Sequence, residues 1–133
     1  MKSNAALIAQ LEDLIKDRRA SFENRLSVLN GSVSVAHELE WSWGLFHDAA
    51  MEKVYKLILD WAKRQEAEIC SESLIAFVHS KLVDSAELLN MHGSSPTLQL
   101  TRAAEVNAWA RIISRGTAYQ LTGHTITRIP IDE

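Results

Sequence analysis

Residues 4–29, NAALIAQLEDLIKDRRASFENRLSVL, decide the fold class. Apolar side chains recur at Ile8, Leu11, Ile15, Phe22 and Leu29, and Arg18 and Arg25 occupy the two positions that complete a three-then-four spacing. Such spacing places every member on one side of an α-helix. Leu7, Leu14 and Leu26 widen the seam into a broader stripe, which suits a helix packed in a bundle better than a strict two-stranded coil. The Asn30-Gly31 pair supplies the C-terminal stop.

The same period continues downstream. Ser32 or Ser34 can cap a second helix beginning near Val35 and running to about Ile69, with Leu39, Phe46, Ala50, Val54, Leu57, Ile58 and Trp61 at helical spacing. Gly44 falls inside this pattern and costs a helix about 1 kcal/mol relative to alanine. It marks a kink, a close helix contact, or a junction between two helices. Ser71 or Ser73 can cap a third helix carrying Leu74, Phe77, Val78, Leu82, Ala86 and Leu89, which Gly93 ends. Ser95-Pro96 opens a fourth, with Leu98, Thr101, Val106, Trp109, Ile112 and Ile113 facing inward and Gly116 as its stop.

The last stretch changes character. Thr122-Gly123 is followed by Ile126, Ile129 and Ile131 with threonines between, a pattern that reads as extended or hairpin-forming. The expectation is a mainly α, single-domain bundle of four or five helices over 1–116, with a short extended or β-hairpin C-terminal arm over 117–133.

Composition agrees with one ordinary core. The 133 residues are 47% hydrophobic and 23% charged, with only two prolines and five glycines to interrupt helices. No apolar run approaches the roughly 20 residues that cross a bilayer, so no membrane partner is expected. The N-terminal apolar stretch is broken by Glu12 and Asp13, and the single Cys70 has no intrachain partner, which together point to a reducing, cytoplasmic setting.

The net charge is −3, and residues 31–93 carry five cations against ten carboxylates, whereas both ends are slightly basic. Phosphate binding needs a basic footprint. The clusters Lys16, Arg18, Arg19, Arg25 and Arg102, Arg111, Arg115, Arg128 are small, and acidic residues intermingle with the first. Nucleic acid is therefore not the expected partner, and an ion-paired, solvated face accounts for the first cluster.

Candidate chemistry is sparse. His37, Glu40, His47, Asp48 and Glu52 could in principle hold a metal on one helix, yet no Glu-x-x-His or HExxH pattern accompanies them. Cys70 beside a helix start could be a nucleophile, but free cysteine is more often a small buried hydrophobe. No phosphate-binding loop, dinucleotide fingerprint or nucleophile elbow occurs. No catalytic residue, cofactor or metal is therefore assigned.

Trp41, Trp43 and Phe46 are the remaining signal. Residues two apart on a helix point about 200° from each other, so Trp41 and Trp43 cannot both face one core unless Gly44 breaks the helix. A tryptophan left outside suits an interface. The leading expectation is thus a non-enzymatic interaction or assembly protein, a homo-oligomer joined through Trp41, Trp43, Phe46, Ile126, Ile129 and Ile131. The alternatives are a nucleic-acid-associated regulator and a small ligand-binding or metal-binding helical enzyme.

Overall fold

A computed structural model describes residues 4–29, 35–90 and 95–119, excepting the side chains of 35–41 and 114–119. Four helices make up the described chain: α1 (Ala5–Leu29), α2 (Val35–Lys63), α3 (Ser71–Leu89) and α4 (Pro96–Tyr119). α2 is the central element, packing against α1 and against α4, while α3 packs against α4. The mainly α bundle is four helices, and the arm from 120 to 133 lies outside the described residues.

α2 runs unbroken through Gly44, so Trp43 and Phe46 belong to one helix. Its buried residues Ala50, Met51, Val54, Tyr55, Ile58, Leu59 and Ala62 cover more than one stripe, as a helix flanked on two sides requires. The helix stops at Lys63 rather than near Ile69. The Gln65 side chain donates to the Trp61 carbonyl at 3.0 Å and Arg64 N–H donates to the same carbonyl at 3.1 Å, satisfying acceptors that a continuing helix would have used.

The connection to α3 is fixed from α1. Asn4 Nδ2 donates to the Ala67 carbonyl at 3.0 Å, and its Oδ1 accepts from Ile69 N–H at 2.8 Å. Ile69 then enters the core, to which Leu7, Leu11 and Leu74 also belong. The cap of α3 is Cys70, not Ser71 or Ser73. Ser73 N–H donates to Cys70 Sγ at 3.4 Å, while Cys70 N–H donates to Ser73 Oγ at 3.2 Å, a reciprocal box built on sulfur.

α3 ends at Leu89 with Asn90 as its C-cap, short of the expected stop at Gly93, which lies outside the described residues. α4 opens as expected, Leu98 N–H donating to Ser95 Oγ at 3.1 Å with Pro96 at the first position. It passes Gly116 and reaches Tyr119. Its inward face also differs from the sequence pattern. Ala104 and Ala108 are fully buried with Trp109 and Ile112, whereas Leu98 is exposed.

An aromatic chain ties three helices together. Trp61 of α2 stacks on Phe77 of α3 at 4.7 Å between centroids, and Phe77 meets Trp109 of α4 edge-on at 6.2 Å.

Candidate functional site

The two arginines that interrupt the apolar seam of α1 are matched by one carboxylate on α2. Asp48 is fully buried, and its Oδ1 accepts from Arg18 Nη1 at 3.1 Å. Its Oδ2 accepts from Arg25 Nε at 2.8 Å and from Ser21 Oγ at 2.8 Å. Residues 18, 21 and 25 share one face of α1, which is why all three reach the same side chain. A buried carboxylate is tolerated only when paired and hydrogen-bonded. Here both oxygens are satisfied.

One turn along α2, Glu52 receives Arg19 through Nε at 3.0 Å and Nη2 at 2.7 Å, and Lys56 at 2.9 Å. The hydrogen bond from Arg19 holds the Glu52 carboxyl down at about 2. Arg18, Arg19 and Arg25 are therefore ion-paired across the α1–α2 interface. The cluster was expected to be an ion-paired, solvated face; Arg19 is 55% exposed, but Arg18 and Arg25 reach a fully buried partner.

His47 is half-buried beside this network. Burial first, and then the charges of Arg18 and Arg111, push its imidazole below the usual range. Among the described residues no group of His, Cys, Asp and Glu is placed to hold a metal. The side chains of His37 and Glu40 lie outside the described residues. Cys70 is exposed, with its sulfur serving as the α3 cap.

Among the surface depressions that adjoin α2, two lie beside residues of interest. The larger is a cleft between α1, α2 and α4 of about 490 Å³, with Phe22, Leu45, Phe46 and Ala49 as apolar lining and Thr101 and Glu105 at the α4 side. A second stretch of about 490 Å³ shares Phe22, Ala49 and Lys53 with it and continues to Arg19, Glu52 and Lys56. Lys53 Nζ bridges to Glu105 at 2.8 Å at the α4 edge. The other depression, about 320 Å³, is formed by Trp43, His47, Asn107, Ala110 and Arg111.

The residues singled out as an interface are thus divided. Trp43 is 39% exposed at the smaller depression, and Phe46 packs against the core while lining the cleft. Trp41 has no described side chain, and Ile126, Ile129 and Ile131 lie outside the described residues. Leu45 and Ala49 were not singled out in the sequence, and Phe22 and Thr101 were read there as core positions of their helices. Only the i, i+4 pair Phe22 and Leu26, the latter 42% exposed, could have hinted that this part of the α1 stripe is left open.

No family model matches the chain, and no curated protein or solved structure shows a similarity to it.

Proposed function

We infer that the protein is a non-enzymatic interaction protein that assembles with copies of itself through the Trp43 side of α2. The observation that carries this reading is Trp43 itself, 39% exposed on a helix that is continuous through Gly44. Tryptophan contributes most where a partner removes it from water, and it is enriched at the energetic centres of interfaces. Arg111 and Asn107 beside it supply a polar margin of the kind that surrounds such centres.

The C-terminal isoleucines Ile126, Ile129 and Ile131 extend the assembly surface in this reading, offering apolar contacts to a neighbouring chain, with Ile129 and Ile131 on one face of an extended segment. The engagement of Arg18, Arg19 and Arg25 with Asp48 and Glu52 weighs against a phosphate-binding role for that cluster. Light scattering over a wide concentration range tests the reading. An oligomeric mass that falls when residues 120–133 are deleted supports it, and an unchanging monomer at high concentration removes it.

A further inference from the structure

The geometry points to the cleft between α1, α2 and α4 as a binding site for a free, single-chain anionic amphiphile, its tail along Phe22, Phe46 and Ala49 and its head at Lys53 and Lys56. The site is separate from the Trp43 depression and goes beyond self-assembly.

Three observations support it. The cleft lies between helices of a bundle, a usual place for ligand sites, and each of its two stretches has about 490 Å³, within the range of pockets for small organic molecules. Its two stretches differ in chemistry. Leu45, Phe46 and Ala50 make one end apolar, whereas Arg19, Lys53 and Lys56 gather at the other, three cations against the two carboxylates Glu52 and Glu105, which leaves that end with one net positive charge. An elongated ligand with one apolar and one negative end matches that asymmetry, and a neutral or cationic one does not.

The basic end also has donors to spare. Lys53 and Lys56 have side chains 58% and 53% exposed, so each ammonium, with three N–H donors, can meet an incoming anion while keeping its contact with Glu105 or Glu52, whose carboxylates are only 16% and 11% exposed. Glu52 stays ionised through the neutral range because Arg19 holds it at about 2, which keeps both flanking cations in place. Ala49, at the junction of the two stretches, is exposed. A larger side chain there fills the cleft without entering the core.

The test is calorimetric titration of the full chain with decanoate below its micellar range, with decanol as the uncharged probe and phosphatidylglycerol vesicles as the membrane arm. Saturable binding of one decanoate per chain is expected, tighter than decanol, with no vesicle co-sedimentation. Ala49→Phe should weaken decanoate about ten-fold or more by occupying the tail position. Lys53→Gln and Lys56→Gln should each weaken decanoate about three-fold and leave decanol unchanged. Circular dichroism melts confirm that each variant is folded. Absence of saturable decanoate binding, equal affinity for decanol, indifference to Ala49→Phe, or association with vesicles alone would each overturn the assignment.

Discussion

Gly44 of α2 lies directly under the guanidinium of Arg25 of α1: a Cβ added at Gly44 would stand 2.7 Å from Arg25 Cζ and 3.0 Å from its Cδ. Arg25 cannot simply swing away, because its Nε donates to the buried Asp48 at 2.8 Å. The glycine therefore exists for a side chain on the opposite helix. Its conformational freedom is not used, since α2 is regular there.

Gly44→Ala should consequently destabilise the protein even though alanine gains about 1 kcal/mol in helix propensity, because displacing Arg25 loses a hydrogen bond to a charged group of about 1.5–3 kcal/mol. In an Arg25→Ala background the same substitution should become stabilising. A double-mutant cycle read by urea unfolding measures the reversal. Additive effects would show that Gly44 and Arg25 do not interact.

Asp48→Ala should be far more damaging than a surface substitution. It leaves Arg18 and Arg25 facing each other in the seam, with side chains only 23% and 33% exposed. A loss of about 3 kcal/mol is expected, the low end for breaking a buried ion pair because the arginines keep some contact with water. Replacing Arg18, Arg25 and Asp48 together by leucine or methionine should recover most of that loss. Equilibrium denaturation of both variants decides it.

Acid should remove the Glu52 contribution in a defined window. Its folded value of about 2 lies below the ordinary 4.5, so the stabilisation is complete above the unfolded value and disappears as pH falls from about 4.5 toward 2. The urea midpoint of the wild type should exceed that of Glu52→Gln at pH 6, and the two should converge near pH 2. A gap that persists unchanged into acid would assign Glu52 a role other than its charge.

His47 works in the same direction at higher pH. Its folded value is pushed below 6.5 by burial and then by Arg18 and Arg111, so the fold favours the neutral ring. Stability from this group is complete above the unfolded value and declines as pH falls through and below it. Wild type should lose stability between pH 7 and pH 5 more steeply than His47→Gln, and proton NMR of the imidazole should give a midpoint below 6.5.

The helical class was legible because apolar period alone reports it, and the starts of α2 and α4 were legible because Val35 follows a run of cap-forming residues and Ser95-Pro96 carries its own cap chemistry. What the sequence hid were pairings between helices. Arg18 and Arg25 stood out as seam positions, yet their partner, Asp48, lies 30 and 23 residues away, and charge pattern along one helix cannot reveal it. Ala104 and Ala108 were missed because alanine is small and common on every helix face, so its period stands out less than that of Leu98 or Ile112, yet both are fully buried. The cap at Cys70 was missed because sulfur is a weak acceptor and is seldom counted among capping groups. The cleft was invisible for a further reason: Phe22 and Phe46 read as ordinary core, Ala49 carried no signal, and only the placement of three helices leaves them lining a cleft.

Sedimentation velocity of the full chain beside Trp43→Ser tests the central reading most directly. Trp43 is 39% exposed, so serine there gives up some packing within the chain, and a circular dichroism melt shows that the variant is folded at the temperature of the measurement. The account predicts a self-associating wild type whose dissociation constant rises at least about ten-fold in the variant, as loss of a tryptophan anchor implies. A monomeric wild type, or an assembly that Trp43→Ser leaves intact, would contradict it.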